Sequence, residues 1–326
     1  MHVISLQRIR KANEHFEYKQ ETDDMTITPT YVLVTDAHMF RPTMFTAYRL
    51  LTQTAKTSIL HFWGSGLDES DWSLLDQLVG LNPKVQIIKR DISNLELQGA
   101  KHVGSHVTPA AMGRLLIPSK LNGRVLYLDG DLDVVGDLSE IFEIDLRQSL
   151  IAGVKDFVVT RRNHNKFFDK NRNEPRTVEL RSLLSDGPIS SYINSGVLLM
   201  DTDRIKEEPV IYERLSDLHA ASKWSMGDQD HINNLFQGKI YYLNPAWNAS
   251  WGRSIEHRFL LRRFKSHTDE VKYKNNKIIH FHGANKPWKR KAWKFWKTYD
   301  RSIISYRIQL KKYEKSFPML AFSGSH

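Results

Sequence analysis

The 326-residue chain has no cysteine. That absence excludes disulfide frameworks, thiol nucleophiles, thiolate zinc sites and iron–sulfur clusters, so any metal must sit on oxygen or imidazole. Long hydrophobic runs are missing too: no window approaches the roughly eighteen apolar residues that a bilayer span needs. The start, MHVISLQRIRKANEHFEYK, has no apolar core long enough for a secretory signal. The expectation is a cytoplasmic chain without a membrane span. There is neither an internal repeat nor a low-complexity linker. What remains, 40% hydrophobic and 26% charged residues with 17 Gly and 11 Pro, is the composition of an ordinary folded protein, large enough for one large domain or two small ones.

Acidic residues are scarce in one region only. From Arg253 to the end there are 19 Lys and Arg against 5 Asp and Glu, a net +14, whereas the preceding part carries a net −4. Such a stripe favours a polyanion: nucleic acid, an anionic lipid surface or a phosphorylated substrate.

Short apolar runs bounded by turn residues alternate with helix-like stretches, which reads as an α/β protein. The pattern predicts strands at 31–35, 58–63, 84–89, 124–128, 150–155, 192–200, 239–243 and 277–282, and helices at 43–53, 69–79, 109–116, 210–222 and 230–236. The polar stretch 161–188 reads as a long loop with a short helix. Three parts follow: an N-terminal extension at 1–29, a main domain at 30–286 and a basic aromatic tail at 287–326.

The sharpest feature is RVLYLDGDLDVVGDL, a buried-strand run ending in Asp129, Gly130 and Asp131. Two carboxylates one residue apart at a strand end can both reach one hard divalent cation, and Gly130 keeps a side chain out of the approach. Asp133 offers a second Asp-x-Asp pair, so spacing alone leaves the choice of pair open. In KIIHFHGANKPW a second strand ends in His280, His282 and Gly283, with Lys286 close behind. Imidazole can complete a carboxylate metal site, while a glycine N–H and an ammonium suit diphosphate oxygens. SMGDQDHINNLF places Asp228, Gln229 and Asp230 at a helix start, where one Asp serves as an N-cap. SSYINSGVLLMD carries Asn194, Ser195 and Gly196 on a strand, which fits either a close ligand approach or a bulge.

In this order, YLDGD, INSGVLLMD, GDQDHIN, LNPAWN and HFHGANKPW resemble the motif series of glycosyltransferase family 8, over about residues 31–288. That family includes bacterial galactosyl- and glucosyltransferases of lipopolysaccharide and surface-glycan assembly, and glycogenin. The resemblance implies a GT-A fold, a Rossmann-like mixed sheet flanked by helices, and a retaining enzyme using a UDP-sugar and Mn²⁺, with Mg²⁺ as an alternative. By the same resemblance, Asp129, Asp131 and His280 would be metal ligands, and Gly283 and Lys286 would hold the diphosphate. Thr35 and Asp36 would meet the uridine, and Arg114, Gly130, Asp156, Asn194 and Ser195 would line the donor. Asp228 and Gln229 would stand beside the anomeric carbon. Two positions depart from the pattern: His38 stands where the family commonly has Asn, and Asp133 where it has an apolar residue.

Gln is a poor nucleophile, so the expected route is front-face attack with the leaving phosphate as base. The expected donor is a UDP-hexose, glucose or galactose, and the acceptor a lipopolysaccharide, lipid-linked or other surface glycan. A glycogenin-like or protein-directed transferase is the alternative within the family. A nucleic-acid-binding protein would explain the basic segment but leaves Asp129, Asp131 and His280 unexplained, so no nucleic acid partner is expected. In the tail, Trp288, Ala292, Trp296, Tyr299, Ile303, Tyr306 and Leu310 recur at steps of three or four, with Lys289, Arg290, Lys291, Lys294 and Lys297 between them. A basic amphipathic helix of this kind suits the anionic inner face of the cytoplasmic membrane.

Overall fold

The computed structural model describes residues 27–101, 108–185, 187–263, 275–289 and 298–322. Most of the N-terminal extension lies outside these residues, as do Arg290, Lys291, Ala292, Lys294, Trp296 and Lys297 of the tail. Ten strands are described: β1 (Thr30–Asp36), β2 (Ser58–Ser65), β3 (Val85–Asp91), β4 (Arg124–Leu128), β5 (Leu132–Val134), β6 (Ile151–Lys155), β7 (Ile193–Asp201), β8 (Ile240–Tyr242), β9 (Ala249–Ser250) and β10 (Ile278–His280). All eight expected strands are among them. The two additional ones, β5 and β9, offer no apolar run, since Asp133 interrupts β5 and β9 spans only Ala249 and Ser250.

Seven strands form one sheet in the order β3-β2-β1-β4-β7-β6-β8, and β5-β10-β9 form a second. In the large sheet only β7 runs against its neighbours β4 and β6. The central strands are apolar on both faces, with Tyr31, Val32, Leu33, Val125, Leu126, Leu128, Leu198 and Leu199 all buried, because helices cover both sides. Two features of register build the functional end. Antiparallel pairing sets Leu128 against Val197, so β7 begins beside the point where β4 ends. Between Gly153 and Val154 the β6–β7 register jumps from Leu198 to Asn194, and the extra residues of this bulge bring Ser195 and Gly196 to the same strand end. In the small sheet, His280 pairs with Leu132 and Ser250, which places its ring next to Asp131.

Several helical expectations are corrected. Residues Pro109–Leu116 form a 3₁₀ rather than an α-helix, and the stretch 210–222 breaks into Pro209–Leu215 and Leu218–Ala221, the second capped by Asp217. The helix expected at 230–236 is Asp228–Leu235, so Asp228 lies inside it and Gly227, with φ +55°, is its N-cap. The expected loop at 161–188 is largely helical, with Phe157–His164, Phe167–Lys170 and Pro175–Leu183. These helices are short and polar outside. Their shared core of Val159, Phe168, Leu180, Leu183 and Tyr192 becomes visible only in three dimensions.

The tail forms a helix, Thr298–Ser316, but its apolar face does not meet solvent or lipid. Ile303, Tyr306, Leu310 and Tyr313 are buried in the main core, with the Tyr306 ring 4.7 Å from that of Phe45 and 5.1 Å from that of Phe281. The periodicity is therefore that of a docked helix, and cutting the chain after Trp288 would remove part of the core.

Asp133 is fully buried and its carboxylate accepts from Arg49 Nε at 2.7 Å. Burial raises its pKa against the pull of that guanidinium. Breaking a buried pair strands the remaining charge, so Arg49→Ala is expected to lower unfolding free energy by about 3–5 kcal/mol, read from urea denaturation.

Candidate metal and catalytic site

Asp129, Asp131 and His280 converge at the strand ends, one donor atom of each lying within 4.8 Å of the others. The His280 Nε2 atom is 3.2 Å from Asp131 Oδ1 and 3.6 Å from Asp129 Oδ2. On the other side of the ring, Nδ1 lies 3.0 Å from the amide oxygen of Asn248, which can only accept, so Nδ1 is the protonated nitrogen and Nε2 faces the carboxylates. Gly196 completes the cradle: an added Cβ would overlap His280 Cε1 and lie 2.5 Å from Asp129 Oδ2. Two carboxylates and an imidazole fit a divalent cation such as Mn²⁺ or Mg²⁺. Asp133 takes no part, since its side chain is turned into the core. At Gly130 a Cβ would overlap Thr43 Oγ1 of the covering helix Phe40–Gln53.

Positive charge surrounds this cluster. Lys286 Nζ donates to Asp131 Oδ2 at 2.5 Å. Burial alone would raise the Asp131 carboxyl, but the Lys286 ammonium and the His280 ring hold it well below the usual carboxylate range. Arg114 is buried and bridges two elements, with Nη2 3.0 Å from Asp129 Oδ1 and Nε 3.0 Å from Asp228 Oδ2. Its Nη1 also donates to the carbonyl and hydroxyl oxygens of Ser195 at 3.1 Å, and its guanidinium carbon lies 4.4 Å from the Tyr127 ring centre. Tyr127 Oη donates to Asp129 Oδ1 at 2.6 Å.

Asp228 is raised to about 6, chiefly by burial and further by the nearby Asp129, against the opposing pull of Arg114. Gln229 is held on all sides: Oε1 accepts from Asn194 Nδ2 at 3.1 Å and from the Ser195 N–H at 3.2 Å, and Nε2 donates to Tyr192 Oη at 3.0 Å. Asn194 Nδ2 also donates to Asp156 Oδ2 at 3.3 Å, while Asp156 Oδ1 caps the helix Phe157–His164 through the Val159 N–H.

Asp129, Asp131, His280, Lys286, Arg114, Asp156, Asn194, Ser195, Asp228 and Gln229 thus form one connected group. Thr35 and Asp36 stand apart at the end of β1. Thr35 Oγ1 donates to the Asp36 carbonyl and lies 3.1 Å from Thr43 Oγ1, and Asp36 Oδ1 accepts from the Met39 N–H. Gly283 lies between β10 and Lys286 with φ +88°, a conformation that favours glycine. Sequence reasoning passed over Tyr127, Tyr192, Arg176 and Asn248. Tyr127 and Asn248 lie within motifs already singled out, YLDGD and LNPAWN, whereas nothing local marks Arg176.

The profile described as Glycosyl transferase family 8 matches residues 81–292. The chain is 28% identical over 192 residues to the lipopolysaccharide 1,2-glucosyltransferase of Escherichia coli (strain K12), covering 58% of this chain and 49% of that protein. It is 24% identical over 170 residues to the lipopolysaccharide 1,3-galactosyltransferase of Salmonella typhimurium (strain LT2), covering 51% of this chain and 44% of that protein. The chain thus spans about half the length of these curated relatives. Among solved structures it is similar to the galactosyltransferase LgtC in complex with donor and acceptor sugar analogues, with a TM-score of 0.63 at 21% identity, over 86% of this chain and 99% of that one. With the mixed seven-stranded sheet, this likeness identifies the fold as GT-A.

Proposed function

Because the chain belongs to glycosyl transferase family 8, we propose that it is a retaining, metal-dependent enzyme moving a hexose, glucose or galactose, from a UDP-sugar to a lipopolysaccharide, lipid-linked or other surface-glycan acceptor. The observation that carries this reading is the convergence of Asp129, Asp131 and His280 with Lys286 on one side and Asp228 and Gln229 on the other. The two lipopolysaccharide transferases among its relatives support the acceptor class.

Asp129, Asp131 and His280 would hold Mn²⁺ or Mg²⁺, which when bound neutralises charge on the departing diphosphate. Lys286 and Gly283 would bind the diphosphate oxygens, Lys286 exchanging its contact with Asp131 for them. Thr35 and Asp36 would contact the uridine, and Arg114, Gly130, Asp156, Asn194 and Ser195 would shape the donor pocket. Gln229 and Asp228 would stand beside the anomeric carbon as its bond to the diphosphate breaks and the bond to the acceptor oxygen forms on the same face. The acceptor proton passes to the leaving phosphate oxygen. The Gln229 carbonyl oxygen already accepts two hydrogen bonds, which makes it a still poorer nucleophile and favours this front-face route over a covalent sugar adduct.

No helix of the described residues is long and apolar enough to cross a membrane. Contact with the anionic inner face of the cytoplasmic membrane is assigned to the outer side of the helix Thr298–Ser316, where Lys311, Lys312, Lys315 and Ile308 are exposed. Burial of Ile303, Tyr306 and Leu310 withdraws those three from that role.

The test is UDP release from a panel of UDP-sugars without acceptor, with Mn²⁺ and then with EDTA. Hydrolysis of one sugar that disappears with EDTA is expected, and equal hydrolysis in EDTA would overturn the metal-dependent reading. A pH dependence follows from Asp228. Its folded pKa of about 6 lies above the ordinary 3.8, so the folded chain binds the extra proton between these values, and this group's contribution to stability falls as pH rises through that window. Pairing with Arg114 requires the ionised form. Donor turnover is therefore expected to rise through about pH 6, and Asp228→Asn, neutral at every pH, should stay at the low-pH level. A wild-type profile flat from pH 5 to 7 would count against this role.

A further inference from the structure

A single line of hydrogen bonds joins the metal-ligand candidate His280 to the far side of Gln229. His280 Nδ1 donates to Asn248 Oδ1 at 3.0 Å, and Asn248 Nδ2 donates to Asn194 Oδ1 at 2.8 Å. Asn194 Nδ2 donates to Gln229 Oε1 at 3.1 Å, and Gln229 Nε2 donates to Tyr192 Oη at 3.0 Å. Tyr192 Oη donates in turn to Asp230 Oδ1 at 2.5 Å. Every link runs in the same sense, from the imidazole to a carboxylate.

That sense is fixed by groups with no choice of role. Asp230 is fully buried, and Arg176 grips both its oxygens, Nη1 to Oδ2 at 2.7 Å and Nη2 to Oδ1 at 2.8 Å, while the Met226 N–H reaches Oδ2 at 2.9 Å. An ionised carboxylate only accepts, so the Tyr192 hydrogen is committed to it and the Tyr192 oxygen is left to accept from Gln229. Two backbone N–H groups, which only donate, orient the middle of the line: Ser195 N to Gln229 Oε1 at 3.2 Å and Gly196 N to Asn194 Oδ1 at 3.1 Å. With Asn194 so oriented, Asn248 must turn its NH₂ towards Asn194 and its carbonyl towards His280. Each member is satisfied by the next, and such buried amide chains hold their geometry cooperatively.

We propose that Asn248 and Asn194 are positioning residues that pass one hydrogen-bond direction between His280 and Gln229, so that the Nδ1 proton of His280 and the amide orientation of Gln229 are set together. Nδ1 is then protonated whether or not a cation is present, and Nε2 is the atom presented to Asp129 and Asp131. The line is anchored outside the large sheet by Arg176, on the helix Pro175–Leu183. This assignment rests on the reading of His280 as a metal ligand.

The experiment combines nitrogen-15 NMR of the imidazole and side-chain amides, metal-free and with Mg²⁺, and calorimetric titration with Mn²⁺, on the full chain and three variants. In the wild type the His280 Nδ1 is expected to be protonated in both states. Asn248→Ala should weaken Mn²⁺ binding by about 10–100-fold, the usual effect of losing the partner of a ligating histidine, and should also shift the Gln229 side-chain amide signal. Asn248→Asp, which keeps an acceptor for Nδ1 but has no NH₂ to donate to Asn194, should restore Mn²⁺ affinity to within about fivefold of wild type while leaving the Gln229 signal shifted, whereas a merely space-filling role would restore both. An unprotonated Nδ1 in the wild type overturns the proposal without any variant. So does Mn²⁺ affinity within twofold of wild type in Asn248→Ala, provided His280→Ala weakens binding, or a Gln229 signal that does not move. If His280→Ala binds Mn²⁺ as tightly as wild type, the metal-ligand reading fails instead, while the Nδ1 and Gln229 signals still decide the positioning role.

Discussion

Asp131→Ala is expected to lower Mn²⁺-dependent UDP release by about 10³-fold or more, because it removes a candidate ligand of the proposed cation, whose charge stabilisation would amount to several kcal/mol in the transition state. The carboxylate also holds Lys286, so the substitution releases that ammonium from its fixed place 2.5 Å away. The fold should survive, since Lys286 retains some access to solvent and no core packing is lost. Circular dichroism and urea denaturation read that part. Asp133→Asn is the informative contrast, as it lies in the alternative Asp-x-Asp pair yet points into the core against Arg49. It should cost stability and leave Mn²⁺ affinity unchanged. The opposite pattern, with Asp133 governing Mn²⁺ and Asp131 governing only stability, would reverse the assignment of the pair.

Gly196→Ala should also be severe although it removes no functional group. Its Cβ would overlap the His280 ring, lie 2.5 Å from Asp129 Oδ2 and lie 3.0 Å from His280 Nδ1. Two candidate ligands and the start of the hydrogen-bonded line would have to move at once. His280 is buried, so its ring has little room to give. Mn²⁺ affinity and UDP release are expected to fall by about 10²-fold, because displacement by an ångström at such a site is enough for a loss of that size. Gly130→Ala, one strand away, meets Thr43 Oγ1 and Thr43 Cβ instead of a ligand. Its main effect should be on unfolding free energy. Equal Mn²⁺ affinity in wild type and Gly196→Ala would show that the cradle is looser than its geometry indicates.

The contrast between these two glycines also marks how far the sequence could be read. Both stand close to Asp129 or Asn194 in motifs that attract attention, yet only the structure distinguishes a glycine that makes room for the His280 ring from one that makes room for a threonine on a covering helix. The eight expected strands were legible because their apolar runs are continuous and bounded by turns. Strands β5 and β9 are held by pairing with β10 rather than by pattern. The helices between Phe157 and Leu183 were hidden for a related reason, since each is short, polar outside and stabilised by a core that closes through Tyr192. Arg176 stayed invisible because its meaning depends on Asp230, 54 positions away. In the tail the spacing was read correctly but its destination was not, as helical periodicity is the same for a face against lipid and one against Phe45 and Phe281. Asp129, Asp131 and His280 were found from residue type and strand-end position, and the fold places them together.

The central claim is that these three side chains hold a divalent cation through which a nucleoside diphosphate is retained. Calorimetric titration of UDP into the metal-free chain, with EDTA and then with Mn²⁺, tests it most directly, because it needs neither the transferred sugar nor the acceptor. Tight UDP binding that appears only with Mn²⁺, and is lost in Asp131→Ala, is the expected result. UDP binding of equal strength in EDTA, or undiminished in Asp131→Ala, would contradict it.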